Sequence, residues 1–340
     1  MQSFIKDLDL PLRLLSHRVQ DLAVESSCLQ DNPLGDSSRR HNYVLLPKDD
    51  KGPLPVIFHL SGYFSTGFQS FSQKTLELNF VEKIEQLVNN GLAPKAIHVF
   101  VEASTYWGGS QFLNSPGCGA YTDFILNEIF PAVATHYNCK EQACVMGGSS
   151  GGYGALHLIS QKKSPFQIAF AAAPDSFFEA SLLPELHKMA PSFLKFSTSL
   201  KQVRKAVEGG ELQGKKSFFP LMHGLAMGLC YSPAGSIKKD SIEFPIDLKT
   251  GLVDKKIWTH WLQKDPVHFL KKRASCLKNK TIFLEVGAYD NFSLQFGARQ
   301  VRNVLKDTKV KHEYIEFSGD HFGLSERRLG FLQKLNKMWK

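Results

Sequence analysis

The chain has 340 residues, 43% hydrophobic and 21% charged, which is the composition of a folded globular protein and excludes a disordered one. That length suits one large domain with an insertion or two ordinary domains, with a core that needs no disulfide or metal staple. The formal charge of +9 would suit an anionic partner, but the basic residues come in twos and threes (Arg39-Arg40, Lys162-Lys163, Lys215-Lys216, Lys271-Lys272-Arg273). Without a basic tract, aromatic interleaving or a zinc finger, they argue for a solvated surface and against a nucleic-acid partner.

Met1 to Gln20 scatter Lys6, Asp7, Asp9, Arg13 and Arg18 among short apolar runs, unlike a signal peptide, and residues 1–25 read as an N-terminal arm. From residue 26 to 340, apolar β-branched runs alternate with helix-length segments, the rhythm of an α/β domain with a mostly parallel sheet flanked by helices. The first predicted strands are His41–Leu46 and Pro55–Leu60, followed by a helix over Leu76–Asn89. Strand Ala96–Glu102, helix Ala120–Tyr137, strand Gln142–Gly147, helix Gly151–Gln161 and strand Phe166–Ala172 come next. Between about 176 and 272 the strands stop, and Leu, Phe and Lys cluster with Pro184, Pro191, Pro220, Pro233 and Pro245. An insertion at this point of a parallel sheet falls over the carboxyl ends of the strands, where ligands bind, so it reads as a cap or lid. The regular pattern resumes with strand Lys280–Val286, helix Leu294–Leu305, strand Lys311–Phe317 and a helix from about Ser325.

Cys28, Cys118, Cys139, Cys144, Cys230 and Cys276 are irregularly spaced, which predicts reduced, packed thiols and no zinc site. No run of about 18 apolar residues occurs, so no membrane span is expected, and the default location is the cytoplasm.

The segment Cys144–Leu156, CVMGGSSGGYGAL, carries the chemistry. An apolar strand enters Gly147-Gly148-Ser149-Ser150-Gly151-Gly152 and a small-residue helix leaves it, the pattern of a nucleophile elbow that lifts a serine hydroxyl clear of a sheet. Either serine fits a G-x-S-x-G register. Ser149 is chosen, because the strand then ends at the first glycine and the Ser150 N–H becomes an oxyanion donor. A serine needs a base, and in elbow folds the order is nucleophile, acid, histidine. His321, between the last strand and the last helix, is the best placed base. His312 starts that strand, and His223, His260 and His268 lie in the insertion, where satisfied or surface histidines are expected. Asp290, after the Thr281–Val286 segment, is the expected acid, with Asp175 the runner-up; Asp320 is too close in sequence to His321 to orient it.

A second oxyanion donor is expected from the Tyr63 N–H, after the Pro55–Leu60 strand, and the Tyr63 ring is expected to line the pocket. Trp107, Gln111 and Asn114, after the Ala96–Glu102 strand, are candidate substrate contacts, with hydrogen bonding inside the loop the alternative.

These residues resemble the esterases of the esterase D and antigen 85 type. The resemblance runs from about Asn32 to Phe322 through Asn32-Pro33-Leu34-Gly35-Asp36, Leu60-Ser61-Gly62, Gly108 to Gln111 with Asn114-Ser115, and Ser149 to Leu156. It continues through Tyr231-Ser232-Pro233, Trp261-Leu262 with Asp265-Pro266, Gly287 to Phe292 and Gly319-Asp320-His321. It implies the α/β-hydrolase fold, a Ser149–Asp290–His321 triad, and a carboxylic ester or thioester hydrolase acting on a small molecule without a cofactor. An acyltransferase with the same triad and a non-catalytic binding protein on this scaffold are the rival readings. Gly148, before the serine, stands where relatives often carry a larger side chain, a departure that would open the pocket or loosen the elbow.

Overall fold

Alternating burial along the strands builds a sheet with two apolar faces. In the strand Cys139–Gly148, Val145 faces one core while Cys144 and Met146 face the other, so both sides require cover. The computed structural model, which describes residues 1–49 and 52–339, supplies it with helices on both faces.

Nine strands form the main sheet: β1 (Gln2–Leu8), β2 (His17–Glu25), β3 (Arg39–Pro47), β4 (Leu54–Leu60), β5 (Ile97–Phe100), β6 (Cys139–Gly148), β7 (Ile168–Ala172), β8 (Thr281–Gly287) and β9 (Lys311–Phe317). Their spatial order is β1-β2-β3-β5-β4-β6-β7-β8-β9. The pairs from β5 to β9 are parallel, whereas β1-β2, β2-β3 and β3-β5 are antiparallel. Residues 1–25, read from the sequence as an arm, therefore contribute two strands paired into the sheet.

On one face lie α1 (Phe80–Asn89) and the C-terminal α10 (Leu324–Trp339), packed through Val81, Ile84, Phe331 and Leu335. Helix α1 begins later than its apolar pattern suggests, because Asn79 and Glu82 form a reciprocal capping box that fixes the first turn. The other face carries α2 (121–136), α3 (Ser150–Ile159) and α9 (Leu294–Asp307). Helix α2 contains a π-helical stretch at Phe124–Ile129.

The segment from about 176 to 272 is mostly helical. It holds α4 (Leu183–Lys195), α5 (Leu200–Glu208), α6 (Phe218–Tyr231), α7 (Lys255–Leu262) and α8 (Pro266–Lys272). Its core is continuous with that of the sheet: Leu186, Met189, Leu225 and Tyr231 join the cluster containing Phe58 and Leu156. Among the described residues, no helix is long and apolar enough to cross a membrane.

Candidate active site

The site begins with the turn between β6 and α3. Ser149 sits at φ 56° and ψ −126°, outside the regions that L-residues favour, and this lifts its side chain off the strand. Such a turn requires the backbone to pass close to itself. A Cβ on Gly147 would stand 2.4 Å from backbone atoms of Gly151, and one on Gly151 would stand 2.4 Å from the Leu60 carbonyl. The two glycines of the motif are therefore packing requirements. Above Gly148, a Cβ would meet Leu324 at 3.1 Å. The space expected to lie open beside this small residue is occupied by the first side chain of α10.

The two serines of the motif are placed differently. It is buried at the start of α3, and its hydroxyl donates to Asp175 Oδ2 at 3.0 Å. The Ser149 side chain instead lines a cavity of about 190 Å³. As the first residue of the helix, Ser150 has no intrahelical acceptor for its N–H. Gly62 brings the β4 loop against the elbow: a Cβ there would lie 3.8 Å from Ser149 Cβ. The neighbouring Tyr63 anchors its hydroxyl on the Trp107 carbonyl at 2.7 Å and turns its ring into the cavity.

His321 and Asp290 come from the loops after β9 and β8. His321 Nδ1 lies 2.7 Å from Asp290 Oδ2, with the carboxylate side chain fully buried and the imidazole 11% exposed. The other oxygen, Oδ1, accepts from the N–H groups of Phe292 at 2.9 Å and Leu294 at 3.4 Å, so the entry to α9 holds the carboxylate in place. The imidazole is further placed by Phe292, whose ring meets it edge to face at 4.7 Å, and by the bond from its own backbone N–H to Asn291 Oδ1. His321 and Ser149 line the same cavity. Among the described residues, no hydrogen bond yet joins the serine hydroxyl to the imidazole.

Asp175, the alternative acid, is occupied elsewhere: its Oδ2 accepts from both Ser150 and Gln111 Nε2, and it makes no bond to His321. Gln111 is thus a support for Asp175 and does not line the cavity. Trp107 lends its carbonyl to Tyr63, and Asn114 exchanges hydrogen bonds with Asp123 at the start of α2. Trp107, Gln111 and Asn114 do not line this cavity; Gln111 reaches Asp175 from behind it, and the Gln111 Oε1 has no hydrogen-bond partner.

A correction concerns His223. Expected to be satisfied or on the surface, it is 8% exposed, its Nδ1 has no hydrogen-bond partner, and it lines the cavity beside Glu185 and Phe219. Burial holds its imidazole below the ordinary value, although Asp175 and Glu185 pull the other way. Nothing in the linear pattern of the insertion marks these residues; only the folding of α4 and α6 over the carboxyl ends of the strands brings them to Ser149.

With this geometry in place, the relationships of the chain can be given. Residues 37–335 match the family described as "Putative esterase", and the chain belongs to this esterase family. It has the α/β-hydrolase fold. It is similar in structure to a ferulic acid esterase, with a TM-score of 0.59 at 15% identity, covering 95% of this chain and 99% of that one. It is also similar to an S-formylglutathione hydrolase from Agrobacterium tumefaciens, with a TM-score of 0.57 at 14% identity over 99% and 98% of the two chains. A third similar structure is the fluorophosphonate-binding serine hydrolase F of Staphylococcus aureus, with a TM-score of 0.55 at 13% identity over 95% and 99%. No curated protein matches the chain.

Proposed function

We propose that the protein hydrolyses a carboxylic ester or thioester through an acyl-enzyme on Ser149, with His321 as general base and acid and Asp290 as the group that orients it. The Ser149 oxygen attacks the acyl carbon while His321 Nε2 takes its proton. The tetrahedral oxyanion is received by the N–H groups of Tyr63 and Ser150. Collapse breaks the acyl–oxygen or acyl–sulfur bond, and the imidazolium returns its proton to the departing alcohol or thiol. Water repeats the sequence, releasing the acid and the free serine.

One observation carries this reading: the positive-φ Ser149 and His321, whose Nδ1 is paired with Asp290, line one cavity although the three residues come from separate loops. The reading requires the hydroxyl and imidazole to close to hydrogen-bond reach once substrate is bound, as catalytic bonds that are long in free enzymes commonly do. Each oxyanion donor is expected to contribute ~3 kcal/mol to the barrier reduction. The irregular cysteine spacing supports a reducing compartment, and we place the protein in the cytoplasm on that ground.

The test is covalent labelling with a fluorophosphonate followed by peptide mapping, alongside turnover of a chromogenic ester series. An adduct on Ser149 that disappears with activity in Ser149→Ala is the expected result. Labelling on Ser150, or none on either serine, would overturn the assignment.

A further inference from the structure

The cavity next to Ser149 has a character that hydrolysis of an ester does not by itself require. Its volume of about 190 Å³ lies below the ~300 Å³ at which pockets begin to hold drug-sized ligands, so it suits a compact group. Tyr63, Phe219 and Phe292 form one continuous aromatic wall, with centroids 5.9 Å apart from Tyr63 to Phe219 and 5.8 Å from Phe219 to Phe292. Two buried carboxylates also line the cavity, Asp175 at 6% exposure and Glu185 at 9%. Among the described residues, no lysine or arginine lines the cavity.

The two carboxylates are held differently. Asp175 Oδ2 is held only by the uncharged Gln111 and Ser150, and its Oδ1 has no hydrogen bond among the described residues. Glu185 pairs through Oε1 with Lys188 at 2.7 Å, so of the two it is Asp175 that has no salt bridge among the described residues. His223 lies between the two carboxylates and the aromatic wall, stacked on Phe219 at 5.5 Å, with an unpartnered Nδ1. Burial lowers the affinity of this imidazole for a proton, while Asp175 and Glu185 raise it. A buried carboxylate without a salt bridge, as Asp175 is, is costly, and aromatic faces attract cations through their ring quadrupoles.

We propose that the cavity selects substrates bearing an ammonium group, held by Asp175 and Glu185 against the faces of Tyr63, Phe219 and Phe292 with His223 accepting a further hydrogen bond. The inference rests on Ser149 being the nucleophile and names the substrate class of that same site. The ammonium can arrive on the alcohol side of the ester or on the acyl side, and both carry the same recognition chemistry.

Two isosteric pairs separate these sources and test the proposal. Acetylcholine is compared with neohexyl acetate, and the para-nitrophenyl ester of β-alanine with that of butanoic acid, on the full-length protein. The cationic member of one pair is expected to show a kcat/KM roughly tenfold above its neutral isostere. That ratio should fall to near one in Glu185→Gln and in Asp175→Asn. Both esters are read on one enzyme preparation, so partial unfolding of a variant does not move the ratio. Turnover of both pairs without cationic preference, or a preference that survives both substitutions, overturns the inference while fluorophosphonate labelling of Ser149 keeps the esterase mechanism standing. Absence of labelling and of all turnover overturns the Ser149 mechanism, and the inference with it.

Discussion

Ser149 departs from favoured backbone geometry at the point where chemistry is proposed. Replacing it with alanine removes the nucleophile but keeps the turn, so hydrolysis should fall by at least ~10⁴-fold while the thermal midpoint changes little. Asp290→Asn should also cost ~10⁴-fold in kcat, because an amide that donates toward Nδ1 stabilises the wrong tautomer of His321. Steady-state assays beside circular dichroism melts separate these catalytic losses from folding defects. Gly151→Ala is expected to behave differently. Its new methyl would meet the Leu60 carbonyl at 2.4 Å, backbone against backbone, so stability should drop by ~1–3 kcal/mol in denaturant titrations, with activity falling alongside.

At the scale of elements, several motif residues outside the triad act as pins between segments. Asn32 binds the Leu29 and Asp36 carbonyls and the Leu34 and Asp36 amides, closing the turn before β3, while the Asp36 carboxylate accepts from the Tyr106 N–H. Trp261 donates its indole N–H to Ser232 Oγ, tying α7 to the end of α6. Asp265 is the most consequential pin: its carboxylate caps α8 at Val267 and accepts from Phe177 and Phe178, joining the first residues after β7 to the last part of the insertion. Burial pushes its carboxyl up to about 6, against an ordinary 3.8. A raised carboxyl favours the native state most where it is protonated in the fold, so its contribution is greatest below about 3.8 and declines as pH rises towards 6. Asp265→Asn should therefore destabilise the protein at every pH, by a margin smaller at pH 7 than at pH 4; urea titrations of both proteins check the sign.

These pins also show what could be read from the residues and what could not. The parallel strands, their crossover helices and the elbow are local patterns of apolar period and glycine spacing, and they were legible. Helix α1 starts at a capping box that the apolar period overran. Strands β1 and β2 were not legible. β1 is mostly exposed and held by backbone bonds to β2, while β2 buries His17 and Gln20 among its apolar residues, so neither shows clean alternation. The Trp107, Gln111 and Asn114 loop looked functional because its groups are polar; only partners distant in sequence, such as Asp175 for Gln111, reveal how they are used. Glu185, Phe219 and His223 needed the packing of α4 and α6 to become neighbours of Ser149.

At the scale of the whole molecule, burial resists protonation of several interior histidines, most strongly His59, His98 and His157. Burial lowers His59 and His157 well below their ordinary value, and lowers His98 to about 3. His59 bridges His98 and Arg328, so strands β4 and β5 and helix α10 share one polar line through the interior. The unfolded chain protonates these imidazoles near 6.5 and the native one does not, so their stabilising contribution is complete above about 6.5 and is lost as pH falls. Stability should decline from pH 7 to pH 5 by up to ~2 kcal/mol for each histidine, in opposition to Asp265. Urea midpoints measured across that range are expected to fall; a level or rising profile would mean that the interior accepts the added protons.

Leu324 lies over Gly148, and the loop that carries His321 is short, running only from the end of β9 to the start of α10. On the proposed mechanism, the last helix is therefore the fastener for the loop that carries the base. Its seating on Phe170 and Phe283 through Phe331 decides whether the hydroxyl has an acceptor to meet. Mild denaturant that frees this helix should silence turnover while the central strands still hold their amide protons, making activity a gauge of C-terminal attachment long before the sheet gives way.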